Sequence, residues 1–181
     1  MKTFHIILLT FVLFFITGCS KMQIEDFDNK TPEFIPQDYF NGKLTAYGLV
    51  KDRSGNIIRT FKGVLIGSWD ENGVGTLDEK FVYDDGEKLS RVWKLTPTSD
   101  KTFDATAGDI VGTAKMVANG NTVMMDYVMT IPYKDTTIDI SVKDWLHLQE
   151  DGVIINHSKM KKFGFVVGEL VITIIKDFPK N

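Results

Sequence analysis

Cysteine and histidine are scarce in this sequence, and their scarcity argues against several classes of function. Cys19 is the only cysteine among 181 residues, so no disulfide can form within one chain. His5 lies near the N-terminus, and the spacing of His147 and His157 suits neither a zinc site nor a common hydrolase dyad. Neither a Gly-x-Ser-x-Gly sequence nor a phosphate-binding loop occurs. We therefore expect no catalytic residue, no metal and no cofactor.

An excess of positive charge is also missing. The formal net charge is −3, and no run of basic residues occurs along the chain. Domains that bind nucleic acid usually carry a basic patch or stripe. The composition therefore argues against a nucleic acid partner, and any membrane contact has to come from something other than charge.

Long apolar runs are confined to the N-terminus. Lys2 precedes an apolar stretch over residues 4–16, which is short for a transmembrane helix of roughly 20 residues. The small residues Thr17 and Gly18 then lead to Cys19. This order is typical of a signal peptide, here residues 1–18, and its end is similar to a bacterial lipobox. The resemblance implies cleavage before Cys19 and lipidation of that residue, with an uncleaved signal anchor as the alternative.

The residue after Cys19 indicates in which membrane a lipoprotein of this kind is anchored. Lipoproteins retained at the inner membrane usually carry Asp there, whereas this chain has Ser20. The resemblance therefore implies an outer-membrane lipoprotein that faces the periplasm, held by palmitate or similar acyl chains at about 0.8 kcal/mol per buried methylene. Residues 19–38 have no periodicity and are predicted to be a lipidated N-terminus and tether that holds the domain beside the bilayer. In the alternative interpretation, Phe34 and Ile35 pack on the edge of the domain.

Turn sequences recur along the rest of the chain. They separate stretches rich in Val, Ile, Thr and aromatic residues, and they lie at 52–56, 71–73, 84–86, 99–101, 119–121, 134–135 and 150–152. Repeated hairpins predict an antiparallel meander. About eight to ten such strands can close on themselves. Residues 39–181 are therefore predicted to form an all-β, antiparallel up-and-down barrel, with a two-sheet sandwich as the alternative.

Charged residues interrupt the apolar faces of three predicted strands. Glu79, Arg91 and Asp144 each stand where the alternation calls for an inward apolar side chain. Because the turn at 84–86 joins the first two strands, any register with both apolar faces inward brings Glu79 close to Arg91. An unpaired internal charge would cost several kcal/mol, so the pattern predicts an internal ion pair. The pair either fixes the register or lets Arg91 meet a carboxylate or phosphate headgroup in a cavity.

Apolar residues on the same inward faces complete the candidate ligand site. Methionine adapts its shape to irregular apolar partners, although such residues are more often ordinary core. The candidate ligand-binding residues are Glu79, Arg91, Trp93, Met125, Tyr127, Met129 and Asp144.

Several segments resemble an uncharacterised bacterial lipoprotein family, domain of unknown function 3833. They are residues 77–87, 91–93, 107–112, 144–148 and 155–160. The family has no assigned activity, so the resemblance implies no catalytic residue. It implies a Gram-negative lipoprotein with a calycin-like, lipocalin-like barrel. Family members often lie among genes for membrane-lipid modification, which favours a lipid ligand over a soluble metabolite.

These observations lead to one expected function and two alternatives. The chain is expected to be an outer-membrane-anchored periplasmic lipoprotein, without enzymatic activity, that binds or shields a lipid, a fatty-acid-like molecule or another apolar ligand. Its barrel mouth is expected to lie near the bilayer. The first alternative is a structural or interaction module of the envelope with a packed barrel. The second is an accessory enzyme that modifies lipids.

Overall fold

A computed structural model of the protein describes residues 21–176. The predicted signal peptide, residues 1–18, and the predicted lipidation site Cys19 lie outside the described residues. A 3₁₀ helix, Ile24–Phe27, and one turn of α-helix, α1 (Pro36–Tyr39), come first. The strands are β1 Gly42–Asp52, β2 Ile57–Trp69, β3 Gly75–Tyr83, β4 Lys88–Ser99, β5 Thr102–Thr106, β6 Ile110–Asn119, β7 Thr122–Tyr133, β8 Thr136–Leu148, β9 Val153–Lys162 and β10 Phe165–Lys176. No helix within residues 21–176 is long and apolar enough to cross a bilayer.

The ten strands form one closed barrel. Each strand pairs antiparallel with the next along the chain, and β1 pairs with β10 to complete the ring. Closure satisfies the backbone hydrogen bonds of both outer strands, which would otherwise be exposed edges. The prediction of an up-and-down barrel is confirmed, and the two-sheet sandwich is excluded.

The hairpin turns follow the predicted turn sequences. Gly55 and Gly86 adopt φ of 86° and 85°, which side chains with a Cβ rarely adopt. All of the predicted turns fall between consecutive strands. Two further connections, at 107–109 between β5 and β6 and at 163–164 between β9 and β10, were not predicted.

The segment before β1 covers one end of the barrel. Phe34, Tyr39 and Phe40 are buried there, and the centroids of their rings lie 5.5–5.7 Å apart. The Tyr39 hydroxyl lies 2.7 Å from the carbonyl oxygen of Gly152 and 3.0 Å from that of Ile174. These contacts tie the segment to the hairpin between β8 and β9 and to the end of β10. We call this the closed end.

The chain N-terminal to this cover also contacts the barrel. The ring centroid of Phe27 lies 5.1 Å from that of His147 and 5.9 Å from that of Trp145, on the outer face of β8. The side-chain amide of Asn119 donates to the carbonyl of Ile24 at 3.0 Å. Residues 24–40, which the sequence assigned mostly to a tether, are thus largely fastened to the barrel. The predicted boundary at residue 38 stays a prediction.

The opposite end of the barrel is open to solvent. Five inward-facing apolar side chains near it are only half-buried, namely Phe81, Met129, Ile131, Ile138 and Met160. In a closed sheet, water reaches an inward-facing side chain only through an end of the barrel. We call this end the mouth; the hairpin loops β1–β2, β3–β4, β5–β6, β7–β8 and β9–β10 surround it.

Candidate functional site

Polar side chains meet inside the barrel between the mouth and the closed end. Glu79 on β3 and Arg91 on β4 are direct cross-strand partners. Tyr127 on β7 and Asp144 on β8 face the interior from the other side of the ring. Asp109, from the loop between β5 and β6, joins them. We call these five residues the polar cluster.

Asp109 is the main partner of Arg91. The arginine Nε donates to Asp109 Oδ1 at 3.0 Å, and Nη2 donates to Asp109 Oδ2 at 2.6 Å. The predicted contact with Glu79 is longer, at 4.0 Å between Nη1 and Oε2. A two-pronged arginine–carboxylate contact is stronger and more directional than a single one. The guanidinium therefore already has its anionic partners within the protein.

Asp144 is bonded on one side only. Its Oδ2 accepts a hydrogen bond from the Tyr127 hydroxyl at 2.8 Å, whereas its Oδ1 is buried without a partner. Ser158 lies across the sheet from Asp144, but its hydroxyl donates to the side-chain oxygen of Asn156. The amide of Asn156 in turn donates to the carbonyl of Trp145. Ser158 and Asn156 lie close enough to Asp144 to lower its pKa, but neither donates to Oδ1 with hydrogen-bond geometry, so this buried oxygen lacks a well-placed donor.

Burial changes how the acidic groups of the cluster titrate. It raises the pKa of Glu79 to about 7, although the charge of Arg91 and the Trp93 indole partly oppose the shift. Burial also raises the pKa of Asp144, against opposing hydrogen bonds and the charge of Arg91. The phenol of Tyr127 has its pKa raised by burial and by the neighbouring Asp144. Negative charge is therefore poorly solvated here, and the cluster becomes more anionic as Glu79 ionises near neutral pH.

Aromatic and sulfur-containing side chains surround the polar groups. The rings of Trp93 and Tyr127 meet edge to face with centroids 5.5 Å apart. The Arg91 guanidinium lies 5.5 Å from the Trp93 ring centroid, and its Nη2 lies 2.9 Å from the sulfur of Met129. Met125 is half-buried and pairs across the sheet with Asp144. All seven candidate residues from the sequence thus face the barrel interior, and Asp109 is the member that was not predicted.

The described residues bring together no set of metal ligands, and both described histidines lie away from the polar cluster. Within residues 21–176, no group of three or more His, Cys, Asp or Glu side chains is placed to hold a metal ion. His147 lies near the Thr122 hydroxyl and His157 near Glu169, outside the polar cluster. What the interior offers a ligand is an apolar mouth, two aromatic rings and buried carboxylate oxygens.

Comparison with known proteins supports the fold. The structure of an S-type phycobiliprotein lyase from Guillardia theta is similar, with a TM-score of 0.57 and 11% sequence identity. The match covers 88% of this chain and 96% of that chain. At this identity the likeness concerns the fold alone, and it supports the predicted calycin-like barrel. No curated protein matches the chain.

The family that several sequence segments resemble also matches the chain as a whole. The profile described as a protein of unknown function (DUF3833) matches residues 13–176, which is most of the chain. The segments on which the resemblance was based all lie within that range. The chain therefore belongs to the DUF3833 family, as its sequence motifs predicted.

Proposed function

We propose that this protein is a periplasmic lipoprotein of the outer membrane, without enzymatic activity, whose barrel binds a lipid or another apolar molecule through the mouth. The observation that carries the proposal is the half-buried apolar lining of the mouth above the polar cluster. Apolar surface that is left in contact with water favours an apolar ligand by roughly 25 cal/mol per Å² covered. Pockets that combine an apolar lining with a few polar groups are typical small-molecule sites.

The position of the N-terminal segment bears on how such a protein would be oriented. Ile24 is held at Asn119, near the closed end, and the five residue-to-residue steps from Cys19 to Ile24 span at most roughly 17 Å. A lipid on Cys19 would then keep the closed end, not the mouth, beside the bilayer. This differs from the orientation expected from the sequence. The mouth would face the periplasm, where it can receive a ligand from a partner or deliver one.

The proposal is tested by what the protein carries when it is purified. The full chain, expressed with its own signal peptide in a Gram-negative host, is purified and extracted for mass spectrometry. We expect about one apolar molecule per protein, and we expect it to be lost in Ile131→Arg, which places a charge in the mouth. The matched control is Ile66→Arg, on the exposed outer face of β2. A protein that retains its fold but carries no apolar molecule, and that binds none added to it, would contradict the proposal.

The lipid anchor needs a separate test. Metabolic labelling with a palmitate analogue is expected to mark the wild-type protein, and fractionation is expected to recover it with the outer membrane. Cys19→Ser should abolish both results, because the thiol that receives the diacylglyceryl group is gone. Equal labelling of the Cys19→Ser variant would exclude lipidation at this residue.

One observation favours the alternative of an interaction module. The hairpin between β9 and β10 exposes apolar side chains beside the mouth, with Phe163 88% and Phe165 77% exposed. Exposed apolar groups in a cluster often mark a contact surface. If this hairpin is the functional surface, Phe163→Ser with Phe165→Ser will disrupt function in the cell while leaving the retained ligand unchanged. If ligand handling is the function, Ile131→Arg will be the damaging substitution.

A further inference from the structure

The polar cluster holds more carboxylates than cations. Three carboxyl groups, those of Glu79, Asp109 and Asp144, surround the single guanidinium of Arg91. Asp109 already engages two of the arginine nitrogens. A ligand carboxylate or phosphate would have to displace Asp109, and it would then lie close to Glu79. Like charges at such distances repel strongly in a poorly solvated site.

One acceptor of the cluster lacks a well-placed hydrogen-bond donor. The Oδ1 atom of Asp144 exposes less than 1 Å² and accepts no hydrogen bond. Glu79, by contrast, has the Trp93 indole as a hydrogen-bond donor and Arg91 as an ion-pair partner at 4.0 Å. An unsatisfied buried acceptor is costly, and a bound group that donates to it recovers that cost. A ligand that carries a hydrogen-bond donor can therefore satisfy Oδ1 of Asp144, which the protein leaves without one.

We propose that the polar cluster receives the protonated amine of an otherwise apolar molecule, so that the ligand is a cationic amphiphile and not a fatty acid or a phosphate ester. An ammonium group has three donors and no acceptor, which matches carboxylate oxygens on different strands. The rings of Trp93 and Tyr127 add favourable surfaces for a cation. This inference rests on the proposed function, since it names the polar end of the ligand whose apolar part fills the mouth.

The cluster is accessible from the mouth. The side chain of Asp109 is 33% exposed, that of Arg91 15% and that of Glu79 11%. Asp109 is thus the outermost of the three, and Glu79 lies deeper. Met129, on the mouth lining, contacts Arg91 directly. A ligand whose tail lies along the mouth lining can therefore place its head at the carboxylates.

The test compares three probes that differ only at the head. Dodecylamine, dodecanol and dodecanoate are titrated by calorimetry into the full chain carrying Cys19→Ser, at about pH 7.5, where an alkylamine is protonated. We expect dodecylamine to bind about tenfold more tightly than dodecanol, because a hydrogen bond to a charged group is worth at least that factor. Dodecanoate should bind more weakly than both. If dodecanoate or dodecanol binds as tightly as dodecylamine, the headgroup inference is wrong and the proposed function survives. If none of the three binds, both fail.

Variants separate the carboxylates from the fold. Asp144→Asn keeps the shape of the side chain but removes its charge, and it should reduce the advantage of dodecylamine over dodecanol about tenfold. The matched control is Asp139→Asn on the exposed outer face of the same strand, where Asp139 accepts from the Thr130 hydroxyl. That variant should leave the ratio unchanged. Should Asp144→Asn fail to fold, Glu79→Gln provides the same comparison.

The preference for dodecylamine over dodecanol should also depend on pH. Glu79 is faced by Arg91 across β3–β4, by Asp109 from the β5–β6 loop and by Asp144 from β8. As pH rises from about 5.5 to about 8.5, Glu79 ionises while an alkylamine stays protonated, so binding of dodecylamine should tighten and that of dodecanol should not. An affinity for dodecylamine that is independent of pH in the wild type would contradict a role for Glu79. The same titration with Glu79→Gln is expected to be flat.

Discussion

The two ends of the barrel differ although the same strands build both. At the closed end, the inward side chains are buried and mostly apolar, with Asn156 as a polar exception, and Phe34, Tyr39 and Phe40 cover them. At the mouth, inward apolar side chains remain half-buried above a group of charges. The closed end thus provides the core that stabilises the fold. The mouth keeps polar groups and water-accessible apolar surface together, a combination that is typical of small-molecule binding sites.

The largest effect is expected at the closed end. Phe34→Ala removes a ring that is only 2% exposed, so it should lower the free energy of unfolding by about 3–5 kcal/mol. Phe81→Ala, at the half-buried mouth lining, should cost about half as much because that ring loses less contact. Urea denaturation of both variants measures the two values. Equal losses would mean that the ends do not differ in packing.

A pH-dependent difference should come from the polar cluster. The folded-state pKa of Glu79 is raised from 4.5 to about 7, so the folded protein holds this proton more tightly than the unfolded chain. Glu79 therefore contributes stability below about pH 4.5 that is lost as pH rises to about 7. The Glu79→Gln variant has no carboxyl group at this position and does not lose this stabilisation. Its free energy of unfolding relative to wild type should therefore rise by about 3 kcal/mol across that window. Denaturation of both proteins at several pH values tests the direction of this change in relative stability. A relative loss of stability for Glu79→Gln with rising pH would contradict it.

The attachment of the closed-end cover predicts a smaller effect. Tyr39→Phe removes the hydroxyl that lies near the carbonyls of Gly152 and Ile174. The substitution leaves buried carbonyl oxygens without their hydrogen-bond donor, which should lower the free energy of unfolding by about 1–3 kcal/mol. The phenol should also resist ionisation, because burial raises its pKa to about 12. Thermal denaturation measures the first effect and ultraviolet titration the second. A phenol that titrates normally would place Tyr39 outside the closed end.

The smallest effect is expected at the rim of the mouth. Phe163 is 88% exposed, so Phe163→Ala should change the free energy of unfolding by no more than about 0.5 kcal/mol. Urea denaturation beside Phe34→Ala gives the contrast directly. A loss comparable to that of Phe34→Ala would show that the β9–β10 hairpin packs against the protein in solution.

The fold was largely readable from the sequence because its signals are local. Turn residues such as those at 84–86 and the alternation along β3, β4, β7 and β8 fix which side chains point inward. For that reason Glu79, Arg91 and Asp144 could be assigned to the interior. The family resemblance pointed to the same barrel.

The other features of the site and the cover of the closed end depend on contacts between residues that are distant in the sequence. Asp109 stands in a short loop after Gly108, outside any alternation, so nothing nearby marks it as the partner of Arg91. The Tyr127–Asp144 bond joins different strands, and its unsatisfied Oδ1 depends on where Ser158 and Asn156 donate. The segment 34–40, which covers the closed end, has no periodicity. A sequence without periodicity predicts a tether, and only the structure shows that this segment packs on the barrel.

Under the proposed function, an apolar ligand enters the mouth and reaches the polar cluster, where Trp93 can report on its binding. Trp93 contacts Tyr127 in the interior, whereas Trp145 lies on the outer face beneath Phe27. With Trp69 and Trp145 replaced by Phe, Trp93 is the only tryptophan left, and a dodecanol brominated beside its hydroxyl should quench its fluorescence saturably. A matched protein that keeps only Trp145 should not be quenched. Unsaturable quenching of Trp93, or none, would contradict the account.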